Sequence, residues 1–269
     1  MSTDETMLFP HGRIASQETE RDVEHRQTIA GYFERSPGTT VDKLRNFTKF
    51  VRPTDVGRLL MRHELFQRAL QVQGSIIECG VFLGFGLMSW AHLSALFEPL
   101  NHNREIVGFD TFSGFTGLHE KDRGVVQDPV TDDPVWGREF AKDGAHGESV
   151  LADIQEGVRL YDLVRPIGHI PRVHLVKGDA MVTMPRFLED RPHSVVALLY
   201  LDFDIYEPTK VALETFLPRM PKGAVLAFDE LYHRHWPGET LAVLDAVGLR
   251  NLRIQRFPWQ STVSFAVLE

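Results

Sequence analysis

The chain has little to staple it covalently and nothing to anchor it in a bilayer. It carries one cysteine, Cys79, in 269 residues. No intrachain disulfide can form, and a reducing, cytoplasmic setting is the expectation. No apolar run approaches the ~20 residues a membrane span needs, so no membrane association is expected. The first residues, Met1-Ser2-Thr3-Asp4-Glu5-Thr6, are polar and lead into no signal-peptide core. Cationic charge is also short. The 29 Lys and Arg against 37 Asp and Glu leave a net charge of −8, which withholds the footprint of a general nucleic-acid binder. Twelve histidines are present, but none stands at zinc-binding spacing with Cys or Glu support. What is present is an ordinary globular composition, 43% hydrophobic and 25% charged, in a chain long enough to bury a large core.

Residues 1–70 read as a polar, helical N-terminal extension. Glu18 to Glu34 is charge-rich without strand alternation, and Ser36-Pro37-Gly38 breaks it. A second helix is expected after Pro53, with Thr54 as N-cap and Val56, Leu59, Leu60, His63, Phe66 and Leu70 on its apolar face. Helical extensions of this kind pack between subunits, so a homo-oligomer is expected. From residue 71 to 269 short apolar runs alternate with helical stretches: Ile76–Val81, Ile106–Phe109, Val173–Val176, Val195–Leu201 and Ala224–Phe228. Such runs, bounded by turns and separated by helices, are parallel strands buried on both faces. Two more, Leu252–Phe257 and Thr262–Leu268, are split only by Pro258-Trp259-Gln260-Ser261, too short for a crossover, so they form an antiparallel hairpin. The expected fold is α/β: a doubly wound, mostly parallel seven-stranded sheet ending in that hairpin. The interval from Gly117 to Ser149 is polar and rich in Gly, Asp and Pro. It follows a strand end and reads as a lid, with Val150–Leu163 the helix behind it.

In open α/β sheets ligands bind beyond the carboxyl ends of the strands. Gly80, Gly84 and Gly86 follow the first run, spaced G-x-x-x-G-x-G. That is not the G-x-G-x-x-G of a dinucleotide site, which disfavours a nicotinamide oxidoreductase. Asp110 follows the second run, placed to accept from ribose hydroxyls of an adenosine-bearing cofactor; the bland reading is a turn cap. Asp179 and Ala180 follow the third, where Asp179 either meets an adenine amino group or caps the next helix. Leu201-Asp202-Phe203-Asp204-Ile205-Tyr206-Glu207-Pro208-Thr209 follows the fourth, and Phe228-Asp229-Glu230 the fifth. Strands paired at about 4.8 Å would bring Asp202, Asp229 and Glu230 together. Lys210 is the only nearby counter-charge in these two turns. A hard divalent cation such as Mg²⁺ would resolve the repulsion. The alternative, Asp202 or Asp204 capping a helix near Pro208, accounts for one carboxylate only.

From about Val56 onward the chain resembles the class I S-adenosylmethionine-dependent methyltransferases, and more narrowly the macrocin O-methyltransferase family of antibiotic sugar O-methyltransferases. The resemblance is carried by Ile76-Ile77-Glu78-Cys79-Gly80-Val81-Phe82, Asp110-Thr111-Phe112-Ser113-Gly114-Phe115, the stretch from Leu201 to Thr209, and Gly223-Ala224-Val225-Leu226-Ala227-Phe228-Asp229-Glu230. Two departures stand out: Asp229-Glu230 replaces the family's Asp-Asp, and Leu83-Gly84-Phe85-Gly86 replaces a basic residue before paired glycines. The resemblance implies S-adenosylmethionine bound by Glu78, Cys79, Gly80, Asp110, Ser113, Asp179 and Ala180. It implies Mg²⁺ on Asp202, Asp229 and Glu230, and Asp204 as general base, with His119 and His146 as further candidates for that proton. The implied acceptor is a hydroxyl of a small-molecule, sugar-containing secondary metabolite or its nucleotide-sugar precursor. Competing readings are a catechol-type O-methyltransferase, with Phe112, Phe115, Trp136 and Phe140 caging an aromatic diol, and a non-catalytic cofactor-binding regulatory protein.

Overall fold

Seven apolar runs become seven strands: β1 (Ser75–Cys79), β2 (Ile106–Asp110), β3 (Val173–Lys177), β4 (Val196–Leu201), β5 (Val225–Phe228), β6 (Gln255–Arg256) and β7 (Ser264–Val267). The computed structural model describes residues 20–122, 144–233, 236–260 and 262–269. The strands form one sheet in the order β3-β2-β1-β4-β5-β7-β6. β3, β2, β1, β4 and β5 are parallel, and β7 runs antiparallel to both β5 and β6. This is the expected doubly wound sheet with its terminal hairpin. The sixth run pairs over two residues only. The helices are α1 (Glu20–Arg35), α2 (Thr40–Arg45), α3 (Pro53–Ala69), α4 (Phe85–Phe97), α5 (Gly144–Val164), α6 (Ala180–Asp190), α7 (Tyr206–Phe216) and α8 (Gly238–Ala246).

Strand residues alternate between two apolar layers, as a period of two requires. Ile76, Leu198 and Tyr200 pack with Met61, Leu65, Phe66, Trp90 and Tyr161 from α3, α4 and α5. Ile77, Cys79, Leu199 and Leu201 pack with Met184, Leu213, Phe216 and Val243 from α6, α7 and α8. Burial of β1, β2, β4 and β5 on both faces explains their mostly apolar runs, while β3 at the edge of the sheet is only half-buried.

The chain divides into two compact units, 1–58 and 59–269, and the division falls inside α3 rather than at residue 70. In the first unit Thr39 and Asp42 form a capping box at α2. Lys43 Nζ donates to Phe33 O at 2.7 Å and Glu34 O at 3.0 Å, closing the carboxyl end of α1. Two details of α3 differ from the sequence reading. The helix begins at Pro53, and Asp55 accepts from the Arg52 N–H at 2.9 Å, so Thr54 is not the cap. The buried face is Met61, Arg62, Leu65, Phe66 and Ala69, while Leu60 is 52% exposed. The face is turned because an arginine, an unfavourable core residue by pattern, points inward.

Most of the expected lid, residues 123–143, lies outside the described residues, and so do Trp136, Phe140 and the His146 side chain. Among the described residues no helix is long and apolar enough to cross a membrane.

Candidate active site

The carboxyl ends of β1, β2, β4 and β5 meet in loops whose backbone is unusual. Phe82 (φ 51°), Phe112 (φ 53°), Asp204 (φ 62°) and Tyr232 (φ 71°) all occupy the left-handed region that non-glycine residues avoid, one after each strand. Such strain persists only where surroundings over-determine it, and it clusters at functional sites. Gly80 (φ 95°) ends β1, and a Cβ there would overlap the backbone oxygen of Asp202. Only glycine lets the first turn approach the β4 loop this closely. The bond from Asp202 N–H to Cys79 O, 2.8 Å, continues the β1–β4 ladder into that loop.

β4 and β5 are neighbours, with Leu201 opposite Phe228, and the carboxylates that follow them converge. Asp202, Asp204 and Glu230 each present an oxygen within 4.8 Å of the others. Asp229 stands beside them, its charge the leading electrostatic influence on each, with its Oδ1 accepting from the Tyr200 hydroxyl. The trio thus contains Asp204 in the place that sequence reasoning assigned to Asp229. Neither Asp202 nor Asp204 caps a helix. α7 starts at Tyr206, its N-cap is Ile205, and the Tyr206 N–H is taken by Asp122 Oδ1 at 2.6 Å.

Burial pushes the Asp202 carboxyl well above the usual range, and the charges of Asp229 and Asp204 add to it. Burial and Asp229 raise Asp204 to about 7, against a hydrogen bond with Glu230 that lowers it. Glu230 is raised by burial and then by Asp229, Asp204 and Asp202. Its Oε2 has no hydrogen-bond partner among the described residues. Negative charge held together with such a deficit of donors is what a bound cation relieves.

Two residues that support this cluster escaped sequence reasoning. Arg62 of α3 is 1% exposed. Its Nη2 lies 3.6 Å from Glu78 Oε1 and its guanidinium 4.8 Å from the centre of the Tyr200 ring. It lowers the Asp202 carboxyl against the other influences. The counter-charge is therefore Arg62, not Lys210, which pairs with Glu214 at 3.3 Å. The second is Glu239, fully buried at the start of α8, whose Oε1 accepts from the Glu230 N–H at 3.0 Å. A charged residue inside an apolar helix face was the signal for Arg62.

The expected cofactor residues stand at and just after the ends of β1, β2 and β3. Asp110 Oδ2 accepts from Val81 and Phe82 N–H at 2.8 and 2.9 Å, and Oδ1 from Phe112 N–H at 2.7 Å. It holds the glycine turn in place. Ser113 donates its N–H to Thr111 Oγ1 at 3.1 Å. Asp179 caps α6 through Met181 N–H, 2.9 Å, ahead of Ala180. Glu78 is buried, and a Cβ at Gly86 would overlap its carboxylate. His119 stacks 4.9 Å from the Tyr206 ring, with Nε2 3.6 Å from Glu207. Phe112 is core, whereas Phe115 faces Trp236 with ring centres 5.9 Å apart. A groove of about 720 Å³ runs along the open edge of β3, lined by Gln155, Val158, Thr183, Arg186 and Asp190 among others. It contains none of the strand-end carboxylates.

Residues 77–231 match the model of a methyltransferase domain family. The crystal structure of CalS11, a calicheamicin methyltransferase, superposes with a TM-score of 0.84 at 33% identity, over 93% of this chain and 94% of its own. The apo form of CalS11, a TDP-rhamnose 3'-O-methyltransferase of calicheamicin biosynthesis, gives 0.78 at 31% identity over 93% and 96%. The O-methyltransferase NovP shares the fold, with 0.58 at 18% identity over 78% and 79%. No curated protein matches the chain at a significant level. A family match across the central sheet and one-third identity along nearly the whole chain agree with the resemblance to the macrocin type: the chain belongs to this methyltransferase family and is an O-methyltransferase.

Proposed function

We propose that the protein transfers a methyl group from S-adenosylmethionine to a sugar hydroxyl of a small secondary metabolite or its nucleotide-sugar precursor, with Mg²⁺ at the carboxylate cluster. The observation that carries this reading is the convergence of Asp202, Asp204 and Glu230 at the paired ends of β4 and β5, in a chain one-third identical to a TDP-rhamnose 3'-O-methyltransferase. The residues fit both groups. Oxygens around one Mg²⁺ at about 2.1 Å are roughly 3–4 Å apart, a small adjustment from the spacing of the Asp202 and Glu230 oxygens. The orphaned Glu230 Oε2 supplies a ready donor. On the cofactor side, the left-handed Gly80 and Gly84 bring backbone close to the space beside Asp110.

Asp202 and Glu230 would hold the ion, with Asp229 behind them on Tyr200. An ion held there would supply Lewis acidity, lowering the pKa of an acceptor hydroxyl and fixing its orientation. Glu78, Cys79, Gly80, Asp110, Ser113, Asp179 and Ala180 would fix the donor so that its methyl carbon faces that oxygen in line with the sulfur. When bound, S-adenosylmethionine would supply the methyl group, its sulfur keeping the electron pair of the broken C–S bond, and Asp204 would take the proton of the hydroxyl that forms the new O–C bond. Without metal Asp204 lies at about 7; beside Mg²⁺ it would lie lower, and a hydroxyl acidified by the ion needs correspondingly less basicity from it.

The test uses the purified full chain, calorimetry with S-adenosylmethionine and with NAD, and mass-spectrometric detection of methyl transfer to TDP-rhamnose. S-adenosylmethionine should bind and NAD should not. Transfer should stop in EDTA and return with Mg²⁺. Asp204→Asn should cut kcat by about 10²–10⁴ with metal affinity retained. NAD binding would overturn the donor assignment, and full turnover in EDTA would remove the metal.

A further inference from the structure

Asp204 occupies a conformation it would not adopt by itself. At φ 62°, with the Ile205 N–H bonded back to Phe203 O at 2.7 Å, it sits at the apex of a three-residue γ-turn, a rare and strained arrangement. It also stands one residue before the N-cap of α7, where a short acidic side chain ordinarily folds onto the exposed N–H groups of the first turn. Something must both hold the turn and deny Asp204 that alternative.

Asp122 does both. It ends the 3₁₀ turn Glu120–Asp122 and is 3% exposed. Its Oδ1 accepts from the Tyr206 N–H at 2.6 Å and its Oδ2 from the His119 N–H at 2.7 Å. The same segment is pinned a second time. Lys121 Nζ donates to Tyr206 Oη at 3.1 Å and to Asp245, and Tyr206 Oη donates to Asp245 Oδ2 at 2.7 Å. Gly238 completes the junction: a Cβ there would overlap Asp122 Oδ1 and stand 2.6 Å from Tyr206 N. The next residue, Glu239, holds the Glu230 N–H. Three loops that carry Asp122, Asp204 and Glu230 therefore cross at one contact, which only glycine admits.

We infer that Asp122 is a positioning residue for Asp204: by occupying the Tyr206 N–H, it keeps Asp204 off the end of α7 and among Asp202 and Glu230. Two carboxylates compete for one helix N–H, and the more distant in sequence wins because the Lys121–Tyr206–Asp245 contacts bring it there. The inference rests on the role proposed above for Asp204, but the position of Asp204 can be measured whatever that role is.

The experiment is a set of crystal structures of the full chain carrying Asp122→Ala, Asp122→Asn and Gly238→Ala. In Asp122→Ala the Asp204 carboxylate should be found on the Tyr206 N–H, with its φ negative. Asp122→Asn keeps an acceptor for Tyr206 and turns its amide NH₂ toward the His119 N–H, so the His119 side loosens while Asp204 should stay where it is. Gly238→Ala displaces Asp122 by steric overlap and should release Asp204 as Asp122→Ala does; it decides the matter if the latter does not fold. Methyl transfer to TDP-rhamnose should drop at least about tenfold in Asp122→Ala and recover in Asp122→Asn. It should drop no further when Asp122→Ala is added to Asp204→Asn. An unmoved Asp204 in both Asp122→Ala and Gly238→Ala overturns the inference. Full activity of Asp204→Asn would overturn the base assignment alone, and the crystals would still decide the positioning.

Discussion

The two layers against the sheet are built from alternate residues of the same strands, yet the central strands turn a buried charge, Glu78, toward only one of them. Toward α6, α7 and α8 the strands present Ile77, Cys79, Val107, Phe109, Leu199, Leu201, Leu226 and Phe228. Toward α3, α4 and α5 the central strands present Glu78 and Tyr200, opposite one another in register, with Arg62 wedged between them and Trp90. Continuing at the strand period, Asp202 follows Tyr200 and Asp229 follows Ala227 on the same side. The charged layer is thus a column running from Arg62 through Glu78 and Tyr200 to the carboxylates. The apolar layer contributes adhesion, and the charged layer contributes a fixed electrostatic floor for the site.

Breaking that column should have the largest effect. Arg62→Met leaves Glu78 buried without its counter-charge and removes the cation that opposes the upward shift of Asp202. Removing one partner of a buried pair costs about 3–5 kcal/mol, read from urea denaturation of the full chain. Arg62→Lys should not restore it, because a lysine cannot lie flat on the Tyr200 ring. Adding Glu78→Gln to Arg62→Met should return much of the loss. A simple sum of the two single losses would show that the residues do not act as a pair.

The two layers also differ in how they read from sequence. Ile76–Val81 and Val195–Leu201 announce strands because most of what packs on the sheet is apolar, and the parallel order follows from helices between them. The paired ends of β4 and β5, and the presence of several acids there, were legible for the same reason. The column was not. Arg62 lies more than a hundred residues from Tyr200 in sequence and meets it only through the packing of α3, so periodicity placed Leu60 inward instead. Glu239 reads as an ordinary first-turn helix acid, yet it is buried against the Glu230 N–H. Asp204 joins the trio because a left-handed turn delivers it, while the Tyr200 hydroxyl fixes one oxygen of Asp229 beside them. Hydrogen-bond competition of this kind leaves no spacing to find.

The charged layer should respond to pH and metal together. Asp204 sits at about 7 in the folded chain against an ordinary 3.8. Between those values the folded state binds the extra proton, so stability is fully present near pH 4 and is lost as pH rises through about 7. Asp202, Glu230 and Glu239 are shifted the same way. A divalent ion replaces those protons, so its benefit grows as they leave. The rise in Tm on adding Mg²⁺ to metal-free protein should be larger at about pH 8 than at about pH 5, by a few degrees. An increment independent of pH would mean that the ion does not bind these carboxylates.

The smallest effect should come from the residue beside Glu78 that faces the other way. Ile77 is 1% exposed and packs in the apolar layer, so Ile77→Val removes one methylene and leaves a small void. That costs about 0.5–1.5 kcal/mol of stability. The backbone at this position pairs with Val107 on one side and Leu199 on the other, and valine keeps the strand geometry and its preferred rotamer. Nothing in the charged column should therefore move. Urea denaturation should report the loss, while the affinities for S-adenosylmethionine and for Mn²⁺ stay within about twofold, the additivity expected of sites without shared partners. A larger change in either affinity would mean that packing on the apolar side sets the geometry of the carboxylates, and the division between an adhesive layer and an electrostatic one would fail at the strand where the two are closest.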